Sequence, residues 1–230
     1  MAVTNLVFAA LFLPASHFGL SSSRLRDLLA AKLGERLFLA LYNVISLAAF
    51  AWLIFAYRAA PLRILWEAPP ALKVAILPVV LLAFVLVVAG ITTPNPAIVG
   101  SARLFERPDI VRGILRVTRN SFFWGVGLWG LAHLAATGDL AGVLMFTSIA
   151  TLGLIGAPIL DIKKAARHGA QWKSFAAATS SLPFAAIAQG RQRFSAAEIG
   201  WWRFALAGIL FLAALWAHRW AFGVSPLPAP

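Results

Sequence analysis

Four histidines, at positions 17, 133, 168 and 218, are the side chains of this chain best suited to hold a metal or move a proton near neutral pH. The sequence contains no cysteine, which excludes a disulfide framework, an iron–sulfur cluster and a thiolate zinc site. No His-Glu-x-x-His run, phosphate-cradling glycine loop or Gly-x-Ser-x-Gly elbow occurs, so metal-assisted hydrolysis and triad acyl transfer are disfavoured. The eight acids stand at the ends of uncharged stretches or between them. That placement disfavours proton-coupled transport, which uses an embedded carboxylate.

His133 has the most suggestive surroundings. It follows Trp124-Gly125-Val126-Gly127-Leu128-Trp129-Gly130-Leu131-Ala132. At helical spacing Trp129 lies one turn before His133 on the same face. Gly125, Gly127, Gly130 and Ala132 form a small-residue seam, open either to close helix packing or to a flat ligand. An imidazole beside such a seam meets the requirements of haem docking in a bundle: one axial ligand, apolar walls and space for a macrocycle. An intramembrane histidine bonded to a neighbouring helix explains the same residues.

His17, Asn43, Ser46, Arg119 and Asn120 form a second set. Counted from the inner ends of their helices, His17 lies roughly 6–9 Å deep and Asn43 roughly 9 Å deep, with Ser46 one turn further in. Arg119 and Asn120 stand at the mouth of the helix that carries His133. The set is expected either to converge on one cavity or to bond helix to helix group by group. His168 reads as a solvated surface residue. His218, between Trp216 and Trp220, reads as a residue of an interfacial belt.

The elements that carry these groups follow from composition. The chain has 230 residues, 61% hydrophobic and 12% charged, about half the charged fraction of a soluble domain. Stretches of about 20 apolar residues each suffice to cross a bilayer. Six occur, at Met1–Ser23, Leu37–Tyr57, Val74–Ile91, Ser121–Gly138, Leu140–Leu160 and Trp201–Trp220. The expected fold is all-α: a polytopic membrane helical bundle of about six transmembrane helices. Residues 1–223 form a single integral membrane domain, and 224–230 an extended C-terminal tail. Met1–Ser23 lacks a basic n-region, so it reads as a span rather than a cleaved signal peptide. Thr137-Gly138-Asp139 reads as the tight turn of a helical hairpin.

Leu20–Gly34 reads as an amphipathic helix on the inner surface, with Ser21–Ser23 as N-caps and Gly34 as C-cap. Residues 174–190 are uncharged but broken by Thr179, Ser180, Ser181 and Pro183. They read as an interfacial or re-entrant segment rather than a span.

The net charge of +12 would suit nucleic acid, but its distribution points to lipid. Sixteen of the 20 Lys and Arg fall in the segments after spans one, three and five. The positive-inside rule places those segments in the cytoplasm and both termini outside, in the periplasm for a bacterial inner membrane. Membrane lipid is then the expected partner, and nucleic acid is not.

With the spans in place, the chain resembles the NnrU family of bacterial membrane proteins. The resemblance rests on Ser16-His17, Tyr42, Ser46, Val117-Thr118-Arg119, Trp124-Gly125, Ala132-His133-Leu134, Gly138-Asp139, Trp172 and Ser181-Leu182-Pro183-Phe184. It covers most of residues 5–220 and is strongest over 116–139. The family is associated with denitrification and nitric oxide metabolism and is similar to plant zeta-carotene isomerase. The resemblance therefore implies haem b as cofactor, held by histidines, and cis–trans isomerisation of a polyene.

Carried onto this chain, the haem-binding set is His133 and His17 as metal ligands, with Trp129, Arg119 and Asn120 around them. One departure bears on that set: the family commonly has Arg-His-Pro where this chain has Arg119-Asn120-Ser121. Three readings stand at this point. The chain is a haem-binding protein of redox or isomerase chemistry, a non-catalytic subunit of a larger membrane complex, or an enzyme like the isoprenylcysteine methyltransferases.

Overall fold

Glycine and proline interrupt the chain where the uncharged stretches end, and the helices follow that punctuation. The structure, a computed structural model, describes residues 1–22, 24–98 and 101–227. Helix α1 spans Ala2–Ser22 and α2 spans Arg24–Leu33. Gly34, at φ 79°, turns the chain directly into α3, Glu35–Ala59. The amphipathic helix thus lies where expected, but Ser21 and Ser22 are the last residues of α1, and Ser23 lies outside the described residues.

Helix α4, Pro70–Ala75, leads into α5, Leu77–Thr92, whose Pro78 sits in the first turn, where no amide is needed. A short 3₁₀ turn at Ala102–Glu106 and helix α6, Ile114–Val117, precede α7, Ser121–Thr137. Gly138 takes the left-handed conformation, and the Asp139 carboxylate accepts from Gly142 N (2.9 Å) to start α8, Leu140–Ala178. Short helices α9 (Ala185–Ala188) and α10 (Ala196–Ile199) lead to α11, Trp201–Phe222.

Among the described residues, five helices are long and apolar enough to cross a membrane: Ala2–Ser21, Glu35–Ala59, Pro70–Thr92, Leu140–Ala178 and Trp201–Phe222. The sixth expected span, α7, is shorter at 17 residues, about 26 Å by helical rise. Its ends nevertheless meet opposite ends of the bundle. Arg119 O, just before α7, accepts from Asn95, beyond the end of α5. Gly138 O, just after α7, accepts from Leu65 N and Trp66 N, before α4. Helix α7 therefore traverses the same layer as α5.

The helices pack in the order α11, α5, α7, α8, α1, α3. The main apolar core joins α1, α3 and α8 through Leu6, Leu13, Leu53 and Phe146, with Trp129 of α7 against it. A smaller one joins α5, α6 and α10 through Leu86, Ile114, Val117 and Ile199. Asn5 accepts from Trp52 Nε1 (3.1 Å), so α1 begins where α3 ends. Arg203, at the start of α11, bonds Thr92 at the end of α5. Both chain ends thus lie at one end of the bundle, and the three basic segments lie at the other.

One expectation about the helices needs correction. Helix α8 does not stop at Leu160. The next 18 residues are rich in Ala and Lys, good helix formers, and only a bend at Gly169 (φ 49°) interrupts them. This extension buries Trp172 and Phe175 against Ala97 and Phe105. Its Lys164 is also buried and donates to the carbonyl of Ile98 (3.2 Å). The segment 174–190 is not one element: it holds the end of α8, a non-helical stretch over 179–184 and α9. As expected, no continuous helix runs through it. The stretch instead folds beneath the mouth of α7, where Phe184 N donates to Val117 O (2.9 Å).

Helix α10 is held to α6 by a charged clamp. Glu198 accepts from Arg116 Nε (2.7 Å), Arg116 Nη2 (3.0 Å) and Gly113 N (3.0 Å). The Arg116 bonds, then the Gly113 amide, hold the Glu198 carboxyl below its ordinary value near 4.5. A depressed carboxylate stabilises the fold fully above that ordinary value, and the contribution is lost as pH falls through the lower, folded one. Protection of the amides of residues 113–117 against hydrogen exchange, taken relative to their intrinsic rates at each pH, should therefore fall below about pH 4.5. Glu198→Gln should remove that pH dependence, and an unchanged profile in the variant would refute the clamp.

Candidate functional site at the mouth of α7

The polar groups of the basic end gather on Asp161, a residue of α8. Arg119 Nε donates to both carboxylate oxygens (3.1 Å each), and Arg119 Nη2 donates to Oδ2. Asn120 Nδ2 donates to Oδ1 (3.0 Å) and also to Ser181 Oγ (3.0 Å). The Arg119 and Asp161 side chains are only 12% and 16% exposed, so this is a largely desolvated ion pair. The guanidinium lies over the Trp172 ring, 5.6 Å from its centroid.

The chain beneath is stitched to the same point. Ser181 O accepts from Thr118 Oγ1 (2.6 Å) and Trp124 Nε1 (2.7 Å), and Arg119 N donates to Ser180 O (3.0 Å). The Asn120 side chain precedes α7 but does not cap it: its amide is drawn to Asp161 and Ser181, and its Oδ1 is buried without a hydrogen-bond partner among the described residues. Helix α7, helix α8 and the 179–184 stretch thus meet in one polar knot.

Of the sequence-predicted residues, the structure brings Arg119 and Asn120 together. His17 stands elsewhere, with its ring 5.8 Å from that of Tyr42 and its Nδ1 donating to Leu13 O (3.0 Å). Asn43 is exposed on the outer surface of α3. The expected five-residue cavity therefore resolves into separate groups. Sequence reasoning missed Asp161, the centre of the knot. A signal for it existed: Asp161 directly follows the uncharged stretch of α8, at the end where antiparallel α7 begins with Arg119.

His133 lies between Trp129 and Phe146, with ring centroids 4.1 and 5.0 Å away. Its Nδ1 donates to Trp129 O (2.9 Å), the carbonyl one turn back. That fixes the tautomer and leaves Nε2 without a protein partner among the described residues. The glycine seam beside it is filled by neighbouring helices. A Cβ on Gly125 would stand 2.8 Å from Ala83 O, and one on Gly130 would stand 2.8 Å from Ala150 N.

Haem held between His17 and His133 does not fit this arrangement. Measured from the end where α1 begins, His133 lies about 6 Å deep and His17 about 22 Å deep. Axial nitrogens on one iron stand only about 4 Å apart, by analogy with metal–imidazole bonds of about 2 Å. The seam that would receive the macrocycle is occupied by α5 and α8. Among the described residues, no cluster of three or more His, Cys, Asp or Glu is placed to hold a metal ion.

These features define an all-α, multi-pass membrane protein whose buried polar groups collect at its basic end. The chain belongs to the NnrU family: the family model described as NnrU protein matches residues 5–226. It is also 36% identical over 80 residues to "15-cis-zeta-carotene isomerase, chloroplastic" of Arabidopsis thaliana. The corresponding protein of Zea mays is 35% identical over 81 residues. Each match covers 35% of this chain and 22% of the relative, so the likeness spans about a fifth of those proteins. No solved structure matches the chain.

Proposed function

We propose that this NnrU-family protein acts within a bacterial inner membrane on an extended polyene, converting a cis double bond to trans. The observation that carries the reading is the 36% identity to 15-cis-zeta-carotene isomerase. The surface supports it: the open row of helices presents large apolar side chains such as Phe8, Phe55, Ile209 and Leu212 outward, and a polyene would reach such a surface from the lipid. In this reading the Arg119–Asp161 knot holds the α7 mouth rigid and dry, and α7 with its aromatic residues provides the wall along which the chain lies.

The test uses membranes from cells expressing the protein, which retain any cofactor the cell supplies. Incubated in the dark with 15-cis-zeta-carotene, they should deplete the cis isomer faster than membranes lacking the protein, as read by chromatography. Equal rates would overturn the proposal.

The basic end faces the cytoplasm in this proposal, and both termini face the periplasm. A reporter fused after the last residue should be active outside the cytoplasm. Cytoplasmic activity would invert the assignment.

A second reading, a subunit of a larger membrane complex, is favoured by α11. That helix packs on α5 and leaves Trp216 and Trp220 more than three-quarters exposed. Partners retained in mild detergent would support it.

A further inference from the structure

A cavity of about 200 Å³ opens at the basic end, between the end of α5 and the starts of α6 and α11, away from the Arg119–Asp161 knot. Thr93, Pro94, Arg112, Gly113, Glu198 and Arg203 line it. At about 30 Å³ per water it has room for roughly six or seven waters, which is enough for a phosphate group and the first carbons attached to it.

The charges in its wall do not cancel. Glu198, the one acid in the lining, is already engaged by Arg116 and Gly113 through both of its oxygens. Arg203 bonds Thr92 Oγ1 (2.7 Å), Thr92 O (3.0 Å) and Ile199 O, all neutral acceptors, and lies 4.5 Å from the Trp202 ring. No carboxylate among the described residues pairs with it. The Arg112 side chain hydrogen-bonds Asp109, at 3.4 Å, in a pair more than half exposed on both sides, and exposed pairs of that kind are weak; it also acts through space on Glu198, whose own hydrogen bonds go to Arg116 and Gly113. Two guanidinium groups thus face one cavity with no acid of their own inside it.

Depth indicates where the anion would come from. The cavity lies where two spans end, beside Trp201 and Trp202, which are 69% and 53% exposed. Exposed tryptophans at the start of a span mark headgroup level. We propose that the cavity is a phosphate site that seats the phosphodiester of an anionic lipid headgroup between Arg112 and Arg203. The site is independent of any polyene reaction. Arginine suits it, because a planar guanidinium donates to two phosphate oxygens at once.

The test uses the full chain in detergent, titrated with phosphatidylglycerol or phosphatidylcholine and read by native mass spectrometry. Wild type should retain phosphatidylglycerol in preference to phosphatidylcholine. Arg112→Gln should lower that retention about fivefold, the equivalent of one basic residue at a membrane surface. Arg112 is exposed and its side chain bonds only Asp109, so the variant keeps the fold, and a matching circular dichroism spectrum checks this. Lys173→Gln, which removes a charge at the same end but outside the cavity, should leave retention unchanged. A parallel titration with inorganic phosphate separates the two sources of the group. Displacement of the lipid at millimolar phosphate would assign the site to a soluble phosphate, whereas persistence of the lipid would assign it to the headgroup. Equal retention by wild type and Arg112→Gln, or no preference for the anionic lipid, would overturn the proposal.

Discussion

Asp161→Ala should destabilise the protein by about 3–5 kcal/mol, the cost of leaving one partner of a buried ion pair uncompensated. Arg119 would remain 12% exposed with no acid to face, and the Asn120 amide would lose one of its two acceptors. The damage should spread, because the same few residues fix the mouth of α7 to α8 and to the 179–184 stretch. Thermal unfolding in mild detergent should show a markedly lower Tm. The double variant Arg119→Leu/Asp161→Leu separates charge burial from packing. It removes both ions and should be more stable than Asp161→Ala, since paired apolar replacements of buried ion pairs are often close to neutral. A wild-type Tm for Asp161→Ala would show that the pair carries no such role.

A second large effect is expected where α7 and α8 touch backbone to backbone. A Cβ built on Gly153 would stand 2.3 Å from Gly127 N and 2.6 Å from Phe123 O. Neither atom is the end of a flexible side chain, so the helices must move apart. Gly153→Val should cost about 1–3 kcal/mol or more, the range for overpacking a tight core, and should loosen the whole α7–α8 hairpin. Gly208 is the control. It lies in α11, where a Cβ meets nothing within 4 Å. Gly208→Ala should be neutral or stabilising, because alanine is the better helix former by about 1 kcal/mol. Comparable losses of folded protein for both variants would show that glycine content matters here, and not close approach.

The spans were legible in the sequence because each is an apolar run whose charges, where it has any, fall at its ends, and the α7–α8 turn because Gly138-Asp139 supplies a left-handed residue and a cap in succession. The amphipathic α2 was legible from the spacing of its leucines. The extension of α8 was not, because its charged residues resemble a loop in composition, while the burial of Lys164 depends on carbonyls of residues 96–98. The candidate site was partly legible. Arg119 and Asn120 stood out as polar groups at a span end. Asp161 did not, because its partners are distant in sequence and its charge falls just outside an apolar run. The glycine seam read equally well as a ligand face or a packing face. Only the positions of Ala83 and Ala150 decide for packing, and single-sequence spacing does not contain them.

The short backbone ladder between the α3–α4 connection and the α7–α8 turn has a consequence for biosynthesis. Leu65 N and Trp66 N donate to Gly138 O, and Leu140 N donates to Arg63 O. Those partners are separated by most of the third and fourth spans, so residues 63–66 leave the ribosome well before the turn that satisfies them. The first spans must therefore wait in the bilayer with the connection untied, its amides bonded to water at the surface, until the hairpin is inserted. Glycine at 138 makes the late closure possible, since a Cβ there would stand 2.2 Å from Trp66 O. The ladder acts as a latch that closes only on a chain whose fourth and fifth spans have entered in the correct direction. A misoriented hairpin would present its turn to the opposite leaflet and leave these backbone groups unpaired.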